Sequence, residues 1–339
     1  TNLPPGDYDV RIAKEGYLPW NKKLKVRPEI VTKTDALLFP RAPSLKPLTL
    51  SGALNPFLSP DSTKIVFSVA SANSPELDLA VNSAGLWIFT MQTRPLSFTR
   101  DRQRIAKSTF NLDFSQAKII WSPDSRQIIA LFLIDDKKPV TLDNVDSAYL
   151  LSADSDNPSP QNITATLSLT LTDWQNKTEA KYQDQLLSLP KGFLKIATAS
   201  AGLLKFAPDE SKVLFEATAS ATLPLILKPA LIGANSQPEE RDFKPGTIYI
   251  YDVKEDKNFK ITLPLNSLMW FPDSRHLISV QKTAISIMEY DGTNNITVYA
   301  GPFEDSFVFP WPDASNLVVL TTLNKTAGET PNLYAVGLK

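Results

Sequence analysis

Five times along this 339-residue chain an apolar run ends in Pro-Asp, a short polar turn follows, and a second apolar run begins. The copies are Phe57-Leu58-Ser59-Pro60-Asp61-Ser62, Trp121-Ser122-Pro123-Asp124-Ser125, Phe206-Ala207-Pro208-Asp209-Glu210, Trp270-Phe271-Pro272-Asp273-Ser274 and Trp311-Pro312-Asp313-Ala314. Five residues after the prolines stand Ile65, Ile128, Val213, Leu277 and Leu317, so the register is kept in every copy. Internal repetition constrains the fold more than any other feature here, because each repeat is one supersecondary unit that cannot bury its apolar face alone.

Each copy reads as a hairpin. Proline presets φ for a turn and cannot donate to a ladder, while the Asp carboxylate can accept from a backbone N–H two residues on. The β-branched and aromatic residues on either side are strand formers. These aspartates are therefore read as turn chemistry, not as carboxylates held ready for a substrate. Pro60, Pro123, Pro208, Pro272 and Pro312 are separated by 63, 85, 64 and 40 residues. The shortest spacing matches the roughly 40–45 residues of a four-stranded propeller blade. The fourth copy shows such a blade undecorated, with strands at Leu268–Phe271, Leu277–Val280, Ala284–Glu289 and Asn295–Tyr299. Longer spacings require insertions, which are supplied by Ala72–Ala84 in the first repeat and Ala217–Lys244 in the third.

The expected fold class is all-β: a five-bladed β-propeller over 41–339, with six blades as the alternative count if the 85-residue spacing hides a degenerate one. The last repeat has strands near Ser306–Phe309, Leu317–Thr321 and Asn332–Leu338 and then runs out of chain. A strand at about 44–49 is expected to supply the fourth, closing the last blade and removing an exposed edge. Between the second and third copies the period becomes helical, with Leu171, Trp174, Tyr182, Leu186 and Leu189 on one stripe. Thr172 with Gln175 resembles a capping box, and Pro190 suits the first turn of a second helix. Two helices are expected, at about 172–188 and 190–201, packed on the propeller's edge. Residues 1–40 form a separate small β-unit: Tyr8, Val10 and Ile12 alternate, Glu15-Gly16 turns, and Leu24 and Val26 alternate again. Forty residues rarely stand alone, so this sandwich-like unit either lacks strands or leans on the propeller.

The Ser/Ala-Pro-Asp turns followed by Lys-Ile-Val-Phe-like strands resemble the WD-like repeats of TolB-type β-propellers, over about residues 45–339. Leu86-Trp87-Ile88-Phe89, Ile248-Tyr249-Ile250-Tyr251-Asp252 and Leu333-Tyr334-Ala335-Val336 look like third strands of such blades. In those repeats glycine usually follows Pro-Asp, whereas here Ser62, Ser125, Glu210, Ser274 and Ala314 stand in its place. Leu3-Pro4-Pro5-Gly6-Asp7-Tyr8-Asp9-Val10, with Lys14-Glu15-Gly16-Tyr17 and Trp20, resembles the C-terminal half of a PEGA domain, without the Pro-Glu-Gly-Ala motif itself. The combination is similar to bacterial cell-envelope proteins. It implies an extracytoplasmic location, anchored by an N-terminal transmembrane helix upstream of Thr1.

Composition removes several function classes. Lys and Arg number 35 against 36 Asp and Glu, a balance that offers no footprint for nucleic acid. Cysteine is absent and His276 is the single histidine, which excludes thiolate chemistry and multi-histidine metal centres. His276 sits four residues after its proline, a slot filled elsewhere by Lys64, Gln127, Lys212 and Asn316, and reads as a turn-exit residue. Asp154-Ser155-Asp156-Asn157, with Asp143 and Asp146, has carboxylates but not the glycine or terminal glutamate of a calcium loop. No catalytic residue, cofactor or metal is expected. The one unusual feature is the proline-punctuated apolar insertion carrying Leu223, Leu225, Ile226, Leu227, Leu231 and Ile232. Residues this apolar must be covered, either by the helical insertion or by a partner or membrane interface. The chain is expected to be a non-enzymatic envelope protein and a monomer, whose propeller binds a protein or envelope polymer. A sensor ectodomain and a carboxylate hydrolase at the propeller channel are the alternatives.

Overall fold

The computed structural model describes residues 3–70, 83–91, 102–304, 307–323 and 330–339. Residues 72–82 of the first expected insertion lie outside the described residues. In chain order the strands are β1 (Gly6–Ile12), β2 (Trp20–Val26), β3 (Leu45–Pro47), β4 (Leu54–Leu58), β5 (Lys64–Val69), β6 (Gly85–Thr90), β7 (Arg102–Lys107), β8 (Lys118–Trp121), β9 (Gln127–Leu133), β10 (Val145–Ser152) and β11 (Gln161–Asn162). Two helices follow, α1 (Leu167–Ser188) and α2 (Lys191–Ser200). The remaining strands are β12 (Lys205–Phe206), β13 (Lys212–Glu216), β14 (Ala221–Thr222), β15 (Asp242–Phe243), β16 (Ile248–Asp252), β17 (Lys257–Ile261), β18 (Leu268–Trp270), β19 (His276–Gln281), β20 (Ala284–Glu289), β21 (Ile296–Tyr299), β22 (Val308–Pro310), β23 (Asn316–Thr321) and β24 (Asn332–Gly337). Among the described residues each Pro-Asp copy joins the first two strands of a four-stranded sheet, and there are five such sheets.

The turn is the same in all five. The N–H of Ser62, Ser125, Glu210, Ser274 and Ala314 donates to the carbonyl three residues back, at 2.8–3.1 Å. The Asp carboxylate accepts the N–H two residues on: Thr63 on Asp61, Arg126 on Asp124, Ser211 on Asp209, Arg275 on Asp273 and Ser315 on Asp313, at 2.8–3.2 Å. The residue after Pro-Asp is left-handed every time, with φ of 57–60°. A type I turn followed by a left-handed residue matches the twist of the two strands it joins. Glycine adopts that conformation without steric cost; an L side chain does not. Two of the serines there have a second task. Ser125 Oγ accepts the N–H of Asp61, and Ser274 Oγ that of Asp209, each at 3.0 Å, so the turn of one repeat is tied to the turn before it.

Residue contacts divide the chain into two units, one of 1–44, 182–301 and 337–339, the other of 45–181 and 302–336. In the second unit, strand β5 is apolar on both sides of its pleat. Ile65 and Phe67 pack with Val318, Leu320 and Leu333, while Val66 joins Ile105, Ile128 and Ala130 on the opposite face. This is why its residues run Ile-Val-Phe without polar alternation. β3 pairs antiparallel with β24 (Val336 opposite Leu45, Tyr334 opposite Pro47) and stands at the end of the sheet β22-β23-β24-β3. The start of α1 covers an outer sheet face, with Leu167 and Trp174 against Ile129, Leu131 and Ala148.

In the first unit, Leu214, Ile248 and Ile250 of one sheet meet Leu268, Leu277 and Met288 of the next. The other face of β13 and β16 is covered by α2, whose Phe193 stacks on Tyr251 with ring centroids 4.1 Å apart. Each helix thus covers the face of a sheet. α1 also begins at Leu167, ahead of Thr172. The Thr172 hydroxyl donates to the Ser168 carbonyl one turn back and caps nothing, because Thr164–Thr166 have already wound a 3-10 turn that feeds the helix. The N-terminal unit is a single hairpin, β1 paired to β2 from Gly6–Val26 to Ile12–Trp20, rather than a sandwich. Two strands cannot stand alone in water, so its inner face must be covered by the rest of the unit.

Ala314→Gly relieves left-handed strain with no lost hydrogen bond, and should raise unfolding stability by about 1 kcal/mol. Ser274→Gly relieves the same strain but deletes the acceptor of the Asp209 N–H, and should bring no gain. Denaturant titration of the two variants beside the parent checks both.

Candidate functional site

The hairpin is held to its unit by charge. Lys22, on the inner face of β2, places its ammonium between two carboxylates, against Glu289 and 2.6 Å from Asp291 Oδ2. Trp20 Nε1 donates to Glu289 Oε1 at 2.6 Å, and Asn294 Nδ2 to the same oxygen at 2.8 Å. Asp291 also accepts from Asn235 Nδ2 at 2.7 Å and from the backbone and hydroxyl of Thr293. The Lys22 side chain is 8% exposed and that of Asp291 not at all. Burial works to lower Lys22 and to raise Asp291, but their mutual charge and hydrogen bonds outweigh it. The ammonium is held above its ordinary value and the carboxyl below its own. Burying such ions costs less because further hydrogen bonds from Trp20, Asn235, Asn294 and Thr293 meet the carboxylates.

Beside this cluster, within the same unit, lies a cleft of about 440 Å³. Its floor carries Lys212, 3.4 Å from Asp252 and lying over the Tyr290 ring at 4.6 Å. Burial pushes the Tyr290 phenol up. His276 is there too, its Nδ1 2.6 Å from Asp273 Oδ2 and its N–H on Asp273 Oδ1. Burial would raise Asp273, yet the His276 ring and the turn N–H groups hold the carboxyl below its usual range. Turn-exit residues of two repeats, Lys212 and His276, therefore line one cavity, which their shared slot does not announce. Glu255 accepts the Asn235 N–H at 2.8 Å and is pushed up, first by burial and then by neighbouring Asp252.

The apolar insertion is split. Leu223 is buried in the cluster of Phe193, Phe215 and Phe243, and Ile226 packs against it from the rim. The N–H groups of Ile226 and Leu227 both donate to Asp256 Oδ2, at 2.8 and 3.0 Å. Asp256 is itself fixed by the Tyr251 hydroxyl at 3.0 Å and by Arg241, whose Nη1 also donates to the Pro224 carbonyl at 2.9 Å. Leu225, Leu231 and Ile232 face outward, 48%, 50% and 60% exposed. Ile232 stands at the mouth of the cleft.

In the second unit, Asp154 is paired to Lys64 at 2.5 Å, and Asn157 is spent on the backbone of Ile105, Ser152 and Ser155. Asp146 accepts from the Ser147 hydroxyl, and Asp143 lies within a short 3-10 turn, Leu142–Asn144. Among the described residues no group of three or more His, Asp or Glu side chains is arranged to hold a metal ion, and no helix is long and apolar enough to cross a membrane. Lys22, Glu289 and Asp291 carried no sequence signal, since each looks like an ordinary strand or turn residue.

Lys22→Met strands two buried carboxylates and should cost about 3–5 kcal/mol of stability, part of which returns when Glu289→Gln and Asp291→Asn are added. Asp291 is lowered in the folded state, so its contribution is present above its ordinary 3.8 and lost as pH falls below that value; Lys22 is raised, so its contribution holds up to 10.5 and is lost above it. Glu255 has the opposite sign. Its raised carboxyl binds a proton more readily when folded, so Glu255→Gln should stabilise at pH 7 and lose that advantage as pH falls toward 4.5. Unfolding free energies measured across pH distinguish these terms.

Comparison with known proteins places a PEGA domain at residues 1–41, the N-terminal end of the chain. The match is to the PEGA domain as such, which corrects the expectation of its C-terminal half alone. No curated protein matches the chain. Solved structures similar to it include a protein assigned as TolB from Agrobacterium tumefaciens, at 12% identity and TM-score 0.23, covering 84% of this chain and 72% of that one. TolB from Acinetobacter baumannii aligns at 10% identity and TM-score 0.25, over 85% of this chain and 55% of its own length. A eukaryotic initiation factor aligns at 11% and 0.23, over 86% and 56%, so the chain spans little more than half of the last two.

Proposed function

We propose that this chain is a non-enzymatic protein of the bacterial cell envelope, whose five repeat sheets are the blades of a propeller used as a binding platform. The division of the apolar insertion carries this reading. Leu223 and Ile226 anchor the loop, and Asp256 pins its backbone, so Leu225, Leu231 and Ile232 are displayed from a fixed base instead of being buried. A rigid apolar display bears little ordering cost on binding. The partner is a protein or an envelope polymer. The PEGA match at residues 1–41 supports the envelope assignment. The engagement of Glu289 and Asp291 with Lys22, and of the repeat aspartates with their own turns, supports a structural use of the carboxylates.

The triple variant Leu225→Ser, Leu231→Ser, Ile232→Ser should keep the parent's thermal melt and lose whatever the parent co-precipitates from native envelope extracts. Leu223→Ala, by contrast, opens a cavity in the core and should cost about 2–5 kcal/mol. A triple variant that melts normally and retains the same co-precipitating species would overturn the docking role.

A further inference from the structure

A second cleft, of about 830 Å³, lies wholly within the second unit, with Leu48, Phe67, Val69, Trp87, Phe89 and Arg102 among the residues that line it. One wall is a sheet face of the first repeat. Phe67 stands opposite Trp87 and Phe89 opposite Arg102, and directly paired residues project to the same side. Val69, two residues beyond Phe67 on β5, joins them. The other wall is the chain that follows β3. That strand has three residues, against six in each of β5, β6 and β7. Past Pro47 the chain leaves the sheet, and the cleft opens between this segment and the ring-bearing face.

Both walls are fixed by their own polar groups. The N–H groups of Leu48 and Thr49 donate to the Leu333 carbonyl at 2.8 and 3.3 Å. The Thr49 hydroxyl donates to Asn332 Oδ1 and accepts the Leu333 N–H, each at 2.9 Å, and the Gly52 N–H donates to the same Asn332 oxygen at 3.0 Å. Trp87 spends its indole N–H on the Ser83 carbonyl at 2.8 Å, which leaves its half-buried ring as apolar surface. Charge is the exception. Among the described residues Arg102 is the only ionic side chain that lines the cleft, and it is exposed, with no carboxylate paired to it. A guanidinium stays charged in a protein, and its planar fork matches the two oxygens of a carboxylate. A preformed cleft with aromatic walls and a single cation suits a ligand that has an apolar ring and one negative charge.

We propose that this cleft binds a small monocarboxylate with an aromatic body, its carboxylate on Arg102 and its ring against Trp87 and Leu48. The displayed Leu225, Leu231 and Ile232 belong to the first unit, so failure of either role leaves the other standing.

Calorimetric titration of the whole chain with 4-phenylbutyrate tests it. The amide 4-phenylbutyramide keeps the ring without the charge, and butyrate keeps the charge without the ring. Phenylbutyrate should bind at least about tenfold more tightly than either. Arg102→Gln should weaken phenylbutyrate by about tenfold, to the affinity of the amide, while the amide itself is unmoved and the melt unchanged. Arg102→Lys, which keeps the charge but not the fork, should restore only part of the loss. Absence of phenylbutyrate binding, equal binding of the amide or of butyrate, or an affinity unmoved by Arg102→Gln would each overturn the proposal.

Discussion

The Asp carboxylate of each Pro-Asp turn, bonded to the N–H two residues on, is the interaction on which the rest of the structure depends. A hairpin slipped by one residue would turn every side chain of its strands to the opposite face. In β5 both faces are apolar, so the pattern of side chains alone resists a slip only weakly. The turn supplies what the pattern lacks. Proline sets the first torsion, the carboxylate satisfies an otherwise free donor, and the left-handed residue ends the bend with the strands in register. The other strands then pair antiparallel, by consecutive order in the second and fourth repeats, across the apolar insertion in the third and with β3 from the far end of the chain in the fifth.

Placing serine where glycine costs least makes physical sense at two of the five positions. Ser125 and Ser274 use the hydroxyl to accept the N–H of the preceding repeat's aspartate. A buried donor left unmet costs about 1–3 kcal/mol, comparable with the left-handed penalty of an L residue, so the two effects offset one another. Glu210 spends its carboxylate on Gln185 of α1 at 2.9 Å. Ala314 has no polar side-chain atom to spend in this way.

The N-terminal hairpin obeys a different logic. Of the residues in its two strands only Trp20 is buried, and its attachment joins that indole to a buried ammonium shared by two carboxylates and ringed by Asn235, Asn294 and Thr293. Such a joint is specific more than it is strong, because desolvation of the ions consumes much of their attraction. It also fixes β2 as one wall of the cleft, so the hairpin's attachment and the cleft's shape have one cause. The apolar insertion shows the same economy: Asp256 uses one carboxylate to hold two backbone donors of the loop and a tyrosine hydroxyl.

The sequence by itself determined the repeats, the turn chemistry of every Pro-Asp aspartate, the four strands of the fourth repeat and the existence of two helices. All of these rest on local rules, in which a residue's role depends on neighbours a few positions away. It could not say that His276 and Lys212 line one cavity, that Lys22 lies between Glu289 and Asp291, or that Leu223 is core while Leu225 is not. Those outcomes join residues tens to hundreds of positions apart, and an ion or a leucine carries no mark of its distant partner. Tertiary structure also chose the sheet faces that the helices cover, since an apolar stripe specifies that a helix must be covered and is silent about which surface covers it.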